Sequence, residues 1–277
     1  MNGILDSLCS QAEQRVKASE GDYFKDGLLY CGKCNTKKQV RIEVNGKIRT
    51  PACLCKCEAE KKEAEEAQRR KEEELERIKT LRRTGFPDEE MQNWTFDKDD
   101  RKNEKLSTVA RNYVKNFPEM RASGKGLLFY GSVGTGKTFI SACIANELID
   151  QGYTCMVTNF SRLINTLQGM FEGKQEYIDG LNRVTLLVID DLASERDTEY
   201  VNETVQNIID ARYRSGKPLI VTTNLTAEEL KRPTEIRKQR IYSRLLEMCI
   251  PVQVDGKDRR KEKLKDDYKR YEEILGL

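Results

Sequence analysis

Four apolar runs mark the chain from residue 126 onward: Gly126 to Tyr130, Tyr153 to Thr158, Val184 to Asp190 and Pro218 to Thr223. Runs so short and so continuously apolar suit strands buried on both faces. Between them apolar residues recur at helical spacing over Lys137 to Gln151, Ser161 to Met170 and Thr198 to Ser215, and Gly152 and Gly216 stand where such helices need a closing residue. Strand and helix in alternation predict an α/β fold, a parallel sheet with helices on both faces. Upstream, Leu106, Val109, Ala110, Tyr113, Val114 and Phe117 have helical spacing and the pattern stops at Pro118. The domain is therefore expected to span residues 88–254.

The N-terminal pattern is different. Val40, Ile42 and Val44 alternate with other residues, Asn45-Gly46 follows, and Ile48 resumes beyond it. Such alternation around Asn-Gly predicts a β-hairpin closed by a type I′ turn. A hairpin brings its ends together, here Cys31-Gly-Lys-Cys34 and Cys53-Leu-Cys55-Lys-Cys57. Four thiolates make a tetrahedral Zn²⁺ site, and a core this small needs such support. Cys31, Cys34, Cys55 and Cys57 are the favoured ligands, with Cys53 in reserve, because the first pair and Cys-x-Cys close a small knuckle. This gives a zinc-binding domain over residues 1–57. Seven Lys or Arg against one Glu over residues 28–56 leave nucleic-acid contact and a protein-binding ribbon both open.

From Glu58 to Lys79, 16 of 22 residues are charged and apolar positions are too sparse for a coiled-coil seam. Residues 58–87 are expected as a solvated helical linker, and residues 255–277, with 15 charges in 23, as a charged tail. The remainder, 64 charged residues in 232, is near the roughly 25% of an ordinary domain. Over the whole chain, 49 Lys+Arg face 46 Asp+Glu, and a net charge of +3 does not by itself argue for nucleic acid. Histidine is absent, which excludes Ser-His-Asp and Cys-His nucleophiles, an imidazole base and His-containing metal sites. No apolar run has the length of a signal peptide or bilayer span, so a soluble cytoplasmic protein without a membrane partner is expected. Five of nine cysteines crowd into residues 31–57, and in a reducing compartment that reads as metal binding rather than disulfides.

The first strand of the sheet runs into Gly131-Ser132-Val133-Gly134-Thr135-Gly136-Lys137-Thr138, which fits G-x-x-x-x-G-K-[ST] between a strand and a helix. Glycines let backbone N–H groups converge on the phosphates of ATP, Lys137 reaches the β and γ oxygens, and Thr138 offers its hydroxyl to Mg²⁺. Leu186-Leu-Val-Ile-Asp190-Asp191 reads as a buried strand ending in two carboxylates. Asp190 suits the Mg²⁺ shell and Asp191 the orientation or deprotonation of water. Thr222-Thr223-Asn224 ends the next strand with an amide able to hold water or the γ-phosphate. Arg237, Arg240 and Arg244 follow on a helical pattern; an arginine finger toward a neighbouring subunit and a basic helix facing solvent or nucleic acid are both open.

As a whole, residues 125–250 resemble the DnaC/IstB branch of AAA+ ATPases, and closely the DnaC-type helicase loaders of phages and Gram-positive bacteria. The stretches GLLFYGSVGTGKT, LLVIDDLASERDTEY, NIIDARYRSGKPLIVTTNL and RIYSRLLEMC carry the resemblance. It implies a P-loop AAA+ (ASCE) sheet behind a small zinc-binding hairpin domain. Asn224 is then similar to the sensor-1 residue, Arg240 to the arginine finger and Arg244 to a second interface arginine, while Thr95-Phe96 resembles the segment passing near the adenine. Asp191 stands where many AAA+ enzymes have glutamate, which implies slow, switch-like hydrolysis, and the residues after Ile250 are expected to be too few for a helical lid. The implied task is delivery of a replicative DnaB-type helicase onto single-stranded DNA by an AAA+ oligomer. The alternative is an IstB-like regulator of transposition, against which the cysteine ribbon argues. Lys231, Arg232, Arg237, Lys238 and the tail Lys257 to Lys265 are candidate phosphate contacts.

Overall fold

The computed structural model describes residue 11 and residues 16–194 and 198–276, without eight side chains between positions 262 and 273. Most of residues 1–15, and the side chains of the candidate DNA contacts Lys263 and Lys265, lie outside the described residues. The chain divides into two compact units, Met1–Glu76 and Arg77–Leu277.

In the first unit, β1 (Tyr23–Lys25) pairs with β2 (Leu28–Tyr30), and β3 (Ile42–Val44) pairs with β4 (Lys47–Arg49), both antiparallel. Asn45 and Gly46 have φ of 52° and 71°, the two left-handed positions of a type I′ turn. Asp26 and Gly27, at 52° and 74°, turn the first hairpin in the same way. Helix α1 (Lys56–Gly85) starts inside the cysteine cluster. Ion pairs one turn apart, such as Arg69–Glu73 at 3.4 Å and Lys61–Glu65 at 3.7 Å, line its exposed surface and contribute about 0.2–0.5 kcal/mol each.

The second unit begins within the stretch expected as linker. Ile78 and Leu81 near the end of α1 pack against the core with Phe86, and the Arg82 Nε donates to Asn146 Oδ1 at 3.1 Å. The remaining elements are α2 (Glu104–Lys115), α3 (Phe117–Ala122), β5 (Gly126–Tyr130), α4 (Lys137–Asp150), β6 (Cys155–Asn159), α5 (Phe160–Gly169), α6 (Lys174–Leu181), β7 (Leu186–Leu192), α7 (Glu199–Ser215), β8 (Leu219–Thr223), α8 (Ala227–Lys231), α9 (Ile236–Met248), β9 (Cys249–Gln253) and α10 (Arg259–Leu275). The strands form one parallel sheet ordered β6-β7-β8-β5-β9.

Alternate side chains of each strand enter opposite cores, as the pleat requires. Leu127, Phe129, Leu186, Val188 and Ile220 face α2 and α4. Leu128, Leu187, Ile189, Leu219 and Val221 face α5, α7 and α9. Helix α4 is buried almost all round, with Ile140, Cys143, Ile144, Leu148 and Ile149 at 2% exposure or less. The sequence pattern does not predict β9. It forms the sheet edge, where Pro251 and its missing donor are tolerated.

One buried charge ties two strands together. Arg212 of α7, with no exposed surface, donates from Nε to Pro218 O at 3.2 Å and from its terminal nitrogens to Val184 O at 3.2 Å and Thr185 O at 3.0 Å. These carbonyls precede β7 and β8, so one side chain fixes where both strands begin. Burial pushes its pKa down to about 10, still high enough to keep it charged at neutral pH. Among the described residues, no helix is long and apolar enough to cross a membrane.

Candidate nucleotide site and candidate metal centre

The glycine loop joins β5 to α4 at the carboxyl edge of the sheet, where open α/β sheets bind ligands. Gly131, Gly134 and Gly136 have φ of 127°, 77° and 95°, a region costly for any residue with a Cβ. Thr135 folds under the loop, its Oγ1 donating to Ser132 O at 2.9 Å. Lys137 opens α4 and is 6% exposed; its Nζ donates to Gly131 O (2.8 Å), Ser132 O (2.7 Å) and Asn224 Oδ1 (2.9 Å). Burial lowers the Lys137 pKa, against the pull of Asp190 and Asp191. A buried cation resting on carbonyls and an amide is poised for an anionic ligand.

The sheet order explains how the other groups arrive. β8 lies between the P-loop strand β5 and the acidic strand β7, so its tip reaches both. Thr138 Oγ1 donates to Asp190 Oδ1 at 2.9 Å, and Thr222 Oγ1 donates to the same oxygen at 2.5 Å. Asn224 Nδ2 donates to Asp191 Oδ1 at 3.2 Å. Consecutive strand residues ordinarily point to opposite faces, yet both carboxylates line one cleft. The reason is a one-residue bulge. Ile189 pairs with Val221 and Leu192 with Thr223, and Asp191 sits at φ 63°. Burial raises the Asp190 pKa, while the Thr222 and Thr138 hydrogen bonds oppose the rise. A hydroxyl beside a half-buried carboxylate is the hard oxygen set that fits Mg²⁺, so Thr138 and Asp190 are the residues able to hold it.

The cleft beside this cluster has a volume of about 550 Å³. Trp94 and Phe139, with rings 5.7 Å apart, contribute an aromatic wall. Asn146, buried in α4, fixes that wall by donating to Met91 O and Trp94 O, each at 2.9 Å. Sequence reasoning passed near Trp94 through Thr95-Phe96, named Thr222 only as part of a strand tip and took Arg259 and Arg260 only as part of a basic tail, and it missed Asn146 and Asp100.

The arginines of α9 separate. Arg240 is exposed and makes no ion pair among the described residues. Arg244 is ion-paired with Asp210 of α7, and its guanidinium lies 5.8 Å from the Tyr213 ring centre. Arg237 pairs with Glu199 at 2.7 Å and Lys238 with Glu235 at 2.8 Å, so part of the candidate phosphate-binding charge is already matched.

In the first unit, the ligand atoms of Cys31, Cys34, Cys55 and Cys57 lie within 4.8 Å of one another. Cys31 and Cys57 Sγ are 3.6 Å apart and Cys55 and Cys57 Sγ 3.4 Å, close to the ~3.8 Å edge of a tetrahedron with ~2.3 Å zinc–sulfur bonds. Cys53 Sγ is turned away and donates to Lys37 O at 3.4 Å. The four-thiol set fits Zn²⁺, which would hold the knuckle to the start of α1. Beneath the cluster, buried Lys38 bridges Asp22 (3.0 Å) and Glu58 (3.1 Å), so one of the seven basic residues serves the unit's interior. The Asp22 carboxyl is held down to about 2 by the Ser19 N–H and then by Lys38. Elsewhere, burial pushes the Cys143, Cys155 and Cys249 thiols up to about 12, which keeps them inert core residues.

With this geometry in place, the family described as IstB-like ATP binding protein matches residues 57–266. The chain belongs to the IstB-like ATP-binding family. The chain is 28% identical over 160 residues to the replicative helicase loader DnaI of Bacillus subtilis, covering 53% of this chain and 51% of that one. It is 29% identical over 140 residues to the replicative helicase loader DnaC of Escherichia coli, covering 49% and 55%. The chain thus spans about half the length of these curated relatives. The crystal structure of DnaI matches 65% of this chain and 98% of that chain with TM-score 0.53 at 23% identity, and that of the DnaC helicase loader matches 61% and 100% with 0.52 at 24%. These likenesses show the fold. The family match starts at Cys57, so Cys31, Cys34 and Cys55 stand ahead of it.

Proposed function

We propose that this chain is an ATP-dependent loader that delivers a replicative DnaB-type helicase onto single-stranded DNA. The observation that carries the reading is the meeting of Lys137, Thr138, Asp190, Asp191 and Asn224 in one hydrogen-bonded cluster, within a chain about half of which aligns with two named helicase loaders. Bound Mg²⁺ would neutralise charge on the phosphates. Lys137 binds the β and γ oxygens, Asp191 orients the attacking water or takes its proton, and Asn224 holds both groups in register. The short Asp191 side chain, locked in a left-handed bulge, suits slow hydrolysis that acts as a switch. ATP binding favours the DNA-holding oligomer and hydrolysis releases the helicase; Arg240, exposed on α9, is the residue offered to a neighbouring subunit as a finger. The zinc unit grips the helicase.

Affinity capture of a replicative helicase tests this reading. The expected result is helicase retained by the native chain and lost after zinc chelation; no association in any nucleotide state contradicts the loader. A second reading, an IstB-like regulator of transposition, fits the family description only loosely. That reading predicts ATP-dependent stimulation of a transposase and no helicase capture.

A further inference from the structure

The last turns of α1 reach the nucleotide cleft through one buried amide. Arg77 donates to Gly152 O at 3.2 Å, and Gly85 lies so close to β6 that a Cβ there would stand 2.5 Å from Cys155 O. Ile78 and Leu81 enter the core from the same stretch, so the end of α1 is seated on the carboxyl end of α4 and the start of β6. Arg82 lies within this seat. Its Nε donates to Asn146 Oδ1 at 3.1 Å, and its guanidinium is ion-paired with Asp150.

Asn146 is 1% exposed, and its whole side-chain amide is engaged. Nδ2 gives its two hydrogens to Met91 O and Trp94 O, while Oδ1 accepts from Arg82. A buried amide costs free energy unless it is satisfied in this way, and an apolar residue would fill the same space without that cost. What the amide holds is a single 3₁₀ turn, Glu90–Asn93, and the residue that follows it, Trp94. The Trp94 ring is half-buried and packs beside that of Phe139. Phe139 and Asn146 lie about two turns apart on one face of α4, the helix that Lys137 and Thr138 open. One helix thus carries the phosphate-binding residues, one ring of the aromatic wall and the support of the other.

We propose that Asn146, oriented by Arg82 of α1, is a positioning residue for the nucleobase of ATP: it sets the Trp94 ring in the cleft, so that the last turn of the charged helix belongs to the nucleotide site. The proposal rests on the ATP reading above and deepens it. Trp94 touches the base; Asn146 and Arg82 act only through it. An aromatic wall fixed before the ligand arrives spares the ordering cost of stacking. Without the amide, the carbonyls of Met91 and Trp94 lose the donor that anchors them to α4, and the base loses its wall. The phosphates keep Lys137 and the glycine loop, so the two ends of the cleft are separable.

Isothermal titration calorimetry of the full chain with ATP and with inorganic tripolyphosphate, both in Mg²⁺, separates those ends, because tripolyphosphate carries the phosphates without the base. The native chain is expected to bind ATP about tenfold or more tighter than tripolyphosphate, and Trp94→Ala to remove most of that preference. Asn146→Asp keeps the shape but sets acceptors against the same carbonyls, and Arg82→Met keeps the apolar stem. Each is expected to weaken ATP by about three- to tenfold and to change tripolyphosphate by less than about twofold. Added to Trp94→Ala, neither should weaken ATP by more than about twofold further, which a merely structural role would not produce. Trp94 is the only tryptophan of the chain, so its emission gives a second readout: saturating ATP should change it, tripolyphosphate should not, and the change should shrink in Arg82→Met. Equal losses for both ligands in the Asn146 and Arg82 variants, or no loss for either, overturn the proposal. So does a native chain that binds the two ligands equally, which leaves the P-loop reading intact. A native chain that binds neither overturns the ATP reading and the proposal with it.

Discussion

Leu128 and Phe129 have no exposed surface between the two helical layers of the second unit, whereas Phe24 and Ile48 on the hairpins of the first are each 70% exposed. One unit buries its apolar side chains, each worth roughly 1.5–3 kcal/mol, around a sheet covered on both sides. Among its described residues the other buries Leu28 and Leu29 and little else of that size, and it converges instead on four cysteines and a Lys38 ion triad. The difference separates apolar packing in the family domain from a four-cysteine cluster, able to hold a metal ion, ahead of it.

The largest expected effect is therefore metal removal. A strong chelator, or Cys55→Ser with Cys57→Ser, should abolish hydrogen-exchange protection over residues 20–57 and leave the sheet protected, because structural zinc contributes roughly 10–16 kcal/mol of apparent folding energy to small domains. Equal protection in both units after metal removal would break the comparison. Next comes Arg212→Met. It removes the guanidinium donors from the carbonyls of Val184, Thr185 and Pro218, leaving Pro218 O only the longer bond from Leu187 N at 3.4 Å, and should cost roughly 3–5 kcal/mol, a fall of roughly 6–20 °C in the melting temperature of the second unit alone. The smallest effect is expected for Arg237→Ala. Its pair with Glu199 is exposed, so the stability read from thermal melting should fall by less than about 1 kcal/mol. A larger loss would mean that α9 contributes to the domain's stability through its charged face.

The P-loop and four of the five strands are legible in sequence because fully buried parallel strands leave unbroken apolar runs, and because the loop motif must sit between such a run and a helix. The type I′ turn at Asn45-Gly46 is legible for an equally local reason. β9 is not, since Cys-Ile-Pro-Val-Gln at a sheet edge carries neither alternation nor length. The bulge that turns Asp190 and Asp191 to one side depends on pairing with β8, and nothing in the run of Leu and Ile announces it. Arg212 reads as one more cation on an amphipathic helix until the carbonyls it reaches are brought beside it. Contact between the P-loop and the segment from Val254 to Arg260 joins residues over a hundred positions apart, so a charge run read alone suggests only a tail. In the first hairpin, by contrast, Asp26-Gly27 was a usable turn signal.

The central claim is that two separable units act in one loading event, and helicase loading onto single-stranded DNA, followed by unwinding of a forked substrate, tests it most directly. In the presence of ATP the native chain should stimulate unwinding. Lys137→Ala should still bind the helicase yet fail to load it, and Cys55→Ser with Cys57→Ser should bind ATP normally yet fail to capture the helicase. Unwinding that is indifferent to the chain, or stimulation that survives both sets of substitutions, would contradict the account.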